Sequence, residues 1–272
     1  MNSSPGDGGL GPRDLADALA ALRDQAPLVQ CLTNIVVANY TANTLLAAGC
    51  SPAMVDNPAE AEPFARLAGG VLVNLGTPYP DTAQAMAGAV RGAEDSDTPW
   101  VLDPVAAGAL EWRTGLARDL LSSHTPAVIR GNASEVMALD GGAGGRGVES
   151  VDTPEQAAAV AASLAREHRS VVAVSGPVDH LTDGDRTVRV DNGHPWLTQV
   201  TGAGCALGAL MAGFAAAVED PLVAAAAATA TFTVAADRAA EHAAGPGTFA
   251  VVLLDELAEL TPQQLGEEVN LV

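Results

Sequence analysis

The sequence contains no lysine, and all 13 of its basic residues are arginine. A Walker-type phosphate loop requires its lysine and a Schiff-base enzyme requires an amine, so both classes are excluded. Any phosphate chemistry in this chain must therefore depend on arginine, on backbone N–H groups or on metal ions.

Basic charge and aromatic residues are scarce as well. Acidic residues outnumber basic ones by 33 to 13 over 272 residues, which gives a formal net charge of −20 at pH 7. Such a surface repels nucleic acid and anionic membranes, so we expect neither as a partner. Aromatic residues are 3% of a chain that is 48% hydrophobic. This composition predicts a core of small side chains between closely packed helices.

Motifs for redox, zinc or membrane function are missing too. The three cysteines, Cys31, Cys50 and Cys205, are widely spaced, with no C-x-x-C pair and no secretion signal. This usage is typical of a reduced, cytoplasmic protein. The alanine-rich stretch 222–236 is interrupted by threonine and is interpreted as a core helix, not a membrane span. The five histidines have no metal-ligand spacing and are interpreted as surface or structural residues.

Short apolar strands alternate with helical patterns, which predicts an α/β fold with a mostly parallel sheet covered on both faces. Strands are predicted at 27–31, 52–55, 71–74, 100–103, 126–130 and 171–175, with a hairpin formed by 178–182 and 187–190. Helices are predicted around 15–22, over 36–48, from 58, over 82–90, from 153 and over most of 205–260. We expect a disordered tail at 1–12, a flexible glycine-rich loop at 141–147 and one domain over 13–265.

The most informative segment is 201–205, Thr-Gly-Ala-Gly-Cys, which joins a small-residue loop to an apolar helix. Gly202 and Gly204 let the backbone bend tightly and approach a ligand closely. The first N–H groups of a helix lack internal partners and favour an anion, phosphate above all. At this helix start the pKa of the Cys205 thiol is expected to be lowered. A proton acceptor beside an anion site predicts phosphoryl transfer to an alcohol.

Polar residues follow several predicted strands, and in a parallel sheet these strand ends meet at the ligand-binding edge. They are Asn74 with Gly76, Asp103 with Pro104, Arg130 to Asn132, and Ser175 with Gly176. Each residue taken alone also fits ordinary turn chemistry. Several polar strand ends directed toward one edge favour a binding site.

Two carboxylates and one arginine are candidates for phosphate chemistry. Asp103 and Glu135 would lie near Mg²⁺, which prefers a few carboxylates together with waters and phosphates. Asn132 and Glu135 also fit a helix capping box, and both roles can coexist. Arg130 would clamp a nucleotide phosphate, or else pair with a surface acid. An amide cluster of Thr33, Asn34, Asn39 and Asn43 would bind a polar ligand or join subunits.

In sequence order, nine short segments resemble the hydroxyethylthiazole kinase family, the thiamine-salvage members of the ribokinase-like superfamily. They are CLTN at 31–34, NYTAN at 39–43, GCSPAM at 49–54, NLGT at 74–77, DPV at 103–105, RGNASE at 130–135, NGH at 192–194, TGAGC at 201–205 and GPGTF at 245–249. The cysteine that ends TGAGC is the sharpest mark, because most ribokinase-like enzymes carry Asp there. The resemblance implies a ribokinase-like three-layer α/β/α fold without a separate lid domain.

The resemblance also implies a reaction and an assembly. The reaction is ATP-dependent phosphorylation of the primary hydroxyl of 4-methyl-5-(2-hydroxyethyl)thiazole, supported by Mg²⁺. The assembly is a homotrimer with active sites at subunit interfaces. Cys205 would be the base or the group that orients the hydroxyl, and Gly202, Ala203 and Gly204 would complete the anion site.

The remaining site residues follow from motif position in the same way. Met54, Asn34 and Gly202 would line the thiazole pocket. Arg130 and Ser175 would bind ATP, while Asp103 and Glu135 would hold Mg²⁺ through water. The sequence departs from the family pattern at Ala106, Leu110, Ala203 and Ser175, which affects loop detail and leaves the carboxylates and the thiol intact.

Three alternatives stay open at this point. One is a kinase of the same superfamily for another small alcohol, such as hydroxymethylpyrimidine or pyridoxal. A second is a non-catalytic binder that keeps the pocket, although the intact Asp103, Glu135 and Cys205 argue against it. A dinucleotide-dependent oxidoreductase is disfavoured, because no G-x-G-x-x-G follows the first strand.

Overall fold

The computed structural model describes residues 10–140 and 154–272, and within them eight strands form one sheet. The strands are β1 (Leu28–Leu32), β2 (Ser51–Ala53), β3 (Gly70–Asn74), β4 (Trp100–Asp103), β5 (Val128–Asn132), β6 (Val171–Ser175), β7 (Asp179–Thr182) and β8 (Thr187–Val190). Their order is β2-β1-β3-β4-β5-β6-β7-β8. The pairs from β2 to β6 are parallel, and β7 and β8 are added antiparallel.

Helices connect the strands and cover the sheet. They are α1 (Pro12–Gln25), α2 (Ala38–Ala48), α3 (Ala61–Ala65), α4 (Pro80–Glu94), α5 (Glu111–Ser123), α6 (Ala133–Leu139), α7 (Pro154–His168), α8 (Ala203–Ala217), α9 (Pro221–His242), α10 (Pro246–Glu259) and α11 (Pro262–Glu268), with a 3₁₀ helix at Pro195–Gln199. From β1 the chain passes first to β2 on one side and then to β3 on the other. Ligands of open α/β sheets bind at such a reversal, outside the carboxyl ends of the strands.

Two apolar layers lie on opposite faces of the sheet. Successive strand residues point to opposite faces, and Leu72 and Val101 accordingly join the core formed with α1, α8, α9 and α10. Val73 and Leu102, one residue further along each strand, join the core formed with α3, α4 and α7. These two cores give the three-layer α/β/α architecture that the sequence predicts.

Alanine dominates the helix that fills the larger core. The stretch Leu222 to Ala236 lies inside α9, and almost all of its side chains are buried. The prediction of a core helix is confirmed. Among the described residues, no helix combines the length and the apolar character needed to cross a bilayer.

The predicted elements agree closely with the observed ones. All eight predicted strands are present, with ends shifted by no more than two residues. The helix predicted from residue 58 is wrong in its start, because α3 begins at Ala61. The glycine-rich loop 141–147, the helix start at 153 and most of the tail 1–12 lie outside the described residues, whereas α1 begins at Pro12. The boundaries of a single domain over 13–265 stay predictions.

Candidate active site

A hydrogen-bonded row of polar side chains crosses the carboxyl ends of β1, β3 and β4. The Nδ2 of Asn34 donates to Asn74 Oδ1 at 3.0 Å and to the Sγ of Cys205 at 3.4 Å. Asn74 Nδ2 donates in turn to Asp103 Oδ2 at 2.7 Å. Asn74 and Asp103 are each the last residue of a strand and are direct partners in the parallel register. The strand ends therefore bring the predicted residues together, as expected for this edge of the sheet.

Asp103 is a fully buried carboxylate at one end of this row. Burial raises its pKa to about 6, against the opposing effects of Arg130 and of the Asn74 hydrogen bond. Its second oxygen, Oδ1, accepts no hydrogen bond from the described residues. The nearest cation is Arg130, whose Nη1 lies 3.7 Å from that oxygen. One acceptor of Asp103 is thus free for a group that the protein itself does not supply.

Arg130 extends from β5 across the start of α8. Its Nη2 donates to Ser175 Oγ at 3.0 Å, so the two residues predicted to bind ATP are in contact. A Cβ placed on Gly204 would lie 2.7 Å from Nη1 and 2.8 Å from Nη2 of Arg130, closer than real Cβ contacts come. Glycine at 204 is therefore needed for the guanidinium to reach this position. Of the two roles open for Arg130, pairing with a surface acid is wrong, because its acidic neighbour Asp103 is buried.

The start of α8 presents unpaired backbone donors. Gly202 precedes the helix with φ of +93°, a left-handed conformation that favours glycine. Within the described residues, the N–H groups of Gly204 and Cys205 donate to no backbone or side-chain acceptor, whereas Ala203 N–H makes a long 3.4 Å contact with Val200 O. These N–H groups and the helix dipole favour an anion beside the Arg130 guanidinium, which makes this place the candidate anion site.

The Cys205 thiol is partly buried beside this anion site. Burial raises the pKa of Cys205, and the charge of Asp103 adds to the increase. Hydrogen bonds from Asn74 and Asn34 and the charge of Arg130 act in the opposite direction but are weaker. The expectation of a lowered pKa at this helix start is therefore wrong. Since a raised pKa makes the thiol release its proton less readily, Cys205 is better suited to orient a hydroxyl than to remove its proton.

Glu135 is anchored by two backbone donors. Its Oε1 accepts from Ala106 N and its Oε2 from Asn132 N, each at 2.9 Å. Asn132 Oδ1 accepts from Glu135 N at 2.9 Å, so the predicted capping box of α6 is confirmed. The charge of Glu135 also raises the pKa of Asp103.

The donor set of these two carboxylates fits a hydrated Mg²⁺. Asp103 has an oxygen without a partner, and each oxygen of Glu135 accepts only one hydrogen bond from the described residues. No group of three or more His, Cys, Asp or Glu residues able to hold a metal occurs in 10–140 and 154–272. A cation held here would keep most of its waters, as Mg²⁺ commonly does.

A cavity of about 570 Å³ opens next to Arg130, Ser175 and Gly204. Its walls come mainly from the β6–β7 connection, the 3₁₀ helix and the facing sides of α8 and α9. The lining includes Asn132, Gly176, Pro177, Asp179, His194, Leu197, Leu207 and Phe232. A largely apolar pocket that ends at an arginine and an anion site suits a molecule with a flat apolar part and a charged tail.

The comparisons with known proteins point to one kind of enzyme. A family model described as the hydroxyethylthiazole kinase family matches residues 19–263. The chain is 58% identical over 258 residues to the hydroxyethylthiazole kinase of Cutibacterium acnes, an alignment that covers 94% of this chain and 93% of that protein. The chain belongs to the hydroxyethylthiazole kinase family.

Two solved structures extend this result. The hydroxyethylthiazole kinase of Pyrococcus horikoshii OT3 superposes with a TM-score of 0.88 at 40% identity, covering 95% of this chain and 98% of that one. A ribokinase-like superfamily protein from Enterococcus faecalis superposes with a TM-score of 0.63 at 12% identity, covering 96% of this chain and all of that one. The second likeness shows that this kinase-family chain has the ribokinase-like fold.

Some residues of the predicted site lie apart from the network. Met54 follows the edge strand β2, is 39% exposed and makes no hydrogen bond to the row of polar side chains. Asn43 Nδ2 donates to Asn39 Oδ1 at 3.1 Å on α2, and this bond is exposed to solvent. Of the predicted amide cluster, Asn34 thus contacts Cys205, and Thr33 Oγ1 is buried without a partner in the described residues.

Two residues of the cavity wall, Asp179 and His194, have no binding role in the sequence-based predictions. His194 was interpreted as a surface or structural residue; it lines the cavity, and its Nδ1 accepts from Trp196 N at 3.2 Å. Asp179 was given no role, yet it is buried and lines the same cavity. The available signal for Asp179 is an acidic residue at the start of a hairpin strand, two positions after Ser-Gly-Pro.

Asp179 should make the stability of the protein depend on pH. Burial raises its pKa to about 6, although the Gly176 N–H and the charge of Arg130 oppose this. The unfolded carboxyl loses its proton near pH 4 and the folded one near pH 6, so this residue lowers stability as the pH rises through that window. The loss is roughly 2–3 kcal/mol and is complete above the folded pKa.

Asp179→Asn removes this titration and keeps an acceptor for Gly176 N–H, which lies 3.0 Å from Oδ1. Urea unfolding of both proteins from pH 4 to 7 should show the variant gaining stability relative to wild type between pH 4 and 6. Parallel pH profiles of the two proteins would contradict a raised pKa at Asp179.

Proposed function

We propose that this protein transfers the γ-phosphoryl group of ATP to the primary hydroxyl of 4-methyl-5-(2-hydroxyethyl)thiazole. The family membership supports this reaction. The observation that carries the proposal is the meeting of three groups at the start of α8: the Cys205 sulfur, the unpaired N–H groups of Gly204 and Cys205, and the Arg130 guanidinium. Together they give an acceptor-orienting group beside a site for a multiply charged anion.

The nucleotide occupies the cavity in this proposal. Arg130 and Ser175 bind the phosphates at the cavity's inner end, where Arg130 offers a planar fork of donors. The apolar wall, which includes Leu207 and Phe232, takes the base. With no lysine in the chain, Arg130 is the cationic group that this cavity supplies to the phosphates.

Transfer requires little covalent chemistry from the protein. The acceptor oxygen forms a bond to the γ-phosphorus while the bond from that phosphorus to the ADP oxygen breaks, and the hydroxyl proton passes to a phosphoryl oxygen of the product. In a loose transition state the hydroxyl keeps its proton until late, so a strong base is not needed. Cys205 orients the hydroxyl, and the N–H groups of Gly204 and Cys205 bind the oxygens of the phosphoryl group in the transition state.

Asp103 and Glu135 would hold Mg²⁺ through its waters. The free Oδ1 of Asp103 and the remaining acceptor capacity of Glu135 support this role. When bound, the cation neutralises charge on the phosphates of ATP. We place the reaction in the cytoplasm because it consumes ATP.

The thiazole pocket would lie near Asn34 and Gly202 and be completed at a subunit interface. Large apolar side chains that follow the carboxyl ends of β1, β2 and β3 are exposed, namely Ile35, Val36, Met54 and Tyr79. Ile35 and Val36 are neighbours and are 70% and 65% exposed. Contiguous exposed apolar side chains of this kind commonly mark a protein–protein contact. A homotrimer that covers these residues would bring Met54 to the site of a neighbouring subunit.

Light scattering of the wild-type protein should accordingly give the mass of a trimer. The Ile35→Asp variant should dissociate into monomers and show a raised KM for the thiazole alcohol. The charge introduced at position 35 would have to be buried without a partner in the trimer. A wild-type monomer that turns over at the full rate would contradict the shared site.

The proposed function is tested by an ADP-release assay with ATP, Mg²⁺ and a panel of alcohols. We expect the thiazole alcohol to give the highest kcat/KM, with hydroxymethylpyrimidine and pyridoxal far behind. Higher activity on either of those would support a sibling kinase instead. Absence of ADP release with every alcohol, together with tight binding of the thiazole, would identify a non-catalytic binder.

A further inference from the structure

Asn74 has every polar group of its side chain engaged, although it is fully buried. Its Oδ1 accepts from Asn34 Nδ2 and from Gly76 N, each at 3.0 Å. Its Nδ2 donates to Asp103 Oδ2 at 2.7 Å. Gly76 N–H can only donate and a carboxylate oxygen can only accept, so the Asn74 amide is held in one orientation.

The same logic fixes Asn34. Its Oδ1 accepts from Val36 N at 3.2 Å, so its Nδ2 must face both Asn74 Oδ1 and the sulfur of Cys205. A reversed Asn34 amide would place its oxygen against Asn74 Oδ1, and two acceptors would then meet in a buried site. Asn74 Oδ1 and the Val36 N–H together determine which end of the Asn34 amide is presented to the thiol.

Gly76 provides a second, independent observation that the local structure fixes the position of the Asn34 amide. A Cβ at position 76 would lie 2.5 Å from Asn34 Nδ2, a distance that real Cβ atoms do not show. Glycine leaves the volume for the Asn34 amide, and its N–H holds the Asn74 oxygen that the amide bonds to. The missing side chain of Gly76 and its N–H therefore both support the hydrogen bond from Asn34 to Asn74.

We propose that Asn74 is a positioning residue of the kinase reaction and acts on Cys205, both through Asn34 and by its own hydrogen bond to the thiol. It keeps an Asn34 N–H donated to the Cys205 sulfur, which holds the sulfur in place beside the unpaired N–H groups of α8. The acceptor hydroxyl then meets the sulfur at a fixed distance from the incoming phosphoryl group. This inference rests on the proposed kinase function.

A double-mutant cycle in kcat tests the inference, because residues that act through one another are not additive. Asn74→Ala should lower kcat roughly tenfold or more in the wild-type background and change KM for ATP by less than about threefold. In the Cys205→Ala background, where no sulfur remains to position, the same change should lower the residual kcat by less than about threefold.

Asn34→Ala gives a second cycle in case Asn74→Ala does not fold, which thermal unfolding would reveal. It removes the Asn34 donor to Cys205 but leaves Asn74 bonded to Asp103 and Gly76, and it should show the same loss of effect without the thiol. Equal factors in both backgrounds would overturn the inference and mean that Asn74 acts through Asp103 or on folding alone. The proposed function fails separately, when wild-type protein releases no ADP with any alcohol.

Discussion

Replacement of Cys205 by alanine is expected to lower kcat roughly 100-fold or more, a typical loss for a residue that handles the reacting proton or hydroxyl. KM for ATP and for the thiazole alcohol should change less than about threefold, because the contact is used mainly in the transition state. The physical reason is positional: the sulfur is the group beside the anion site that Asn34 holds at 3.4 Å.

Steady-state kinetics of three variants checks this prediction. Cys205→Ser serves as the matched control, because a hydroxyl of similar size can accept from Asn34 and orient the substrate, so it should lose less activity than alanine. Cys205→Asp should remain active, since a carboxylate also accepts from Asn34 and is the commoner residue of the superfamily. Wild-type turnover in Cys205→Ala would remove the thiol from the mechanism.

Gly204→Ala should lower kcat/KM for ATP about as much as Cys205→Ala lowers kcat. The new methyl group would lie 2.7–2.8 Å from both terminal nitrogens of Arg130, and the guanidinium would have to leave its place beside Ser175 and Asp103. A displacement of that size is expected to lower kcat/KM for ATP roughly 100-fold. The fold should persist, because alanine favours a helix over glycine by about 1 kcal/mol.

Gly115→Ala is the matched control for this change. Gly115 also lies in a helix, α5, but a Cβ there would meet no atom within 4 Å. Its kinetics should equal those of wild type, with unchanged or slightly higher thermal stability. If Gly204→Ala binds and uses ATP as wild type does, Arg130 does not hold the nucleotide as proposed.

Features whose partners are near in sequence could be predicted. Asn132 and Glu135 form the expected capping box because both members lie within one helical turn. The central strands β3 and β4 could be predicted because each is a short apolar run that ends in a polar residue, and the parallel register then brings Asn74 and Asp103 side by side. The α/β class and the candidate edge of the sheet follow from these local patterns.

Features set by distant parts of the chain could not be predicted. The thiol of Cys205 was expected to have a lowered pKa because only its helix start is visible in the sequence. Burial and the charge of Asp103, the last residue of β4, raise the pKa of the thiol instead. Asp179 lies in the hairpin and His194 directly precedes the 3₁₀ helix, and both reach the cavity wall only because the fold brings these segments beside α8 and α9.

The central claim is that the unpaired N–H groups where α8 begins receive the γ-phosphoryl group as it passes to the acceptor oxygen. A crystal structure with a non-hydrolysable ATP analogue, Mg²⁺ and the thiazole alcohol tests it most directly. We expect oxygens of the terminal phosphate at roughly 2.7–3.2 Å from the amide nitrogens of Gly204 and Cys205. A terminal phosphate bound away from those nitrogens, with the alcohol ordered elsewhere, would contradict the account.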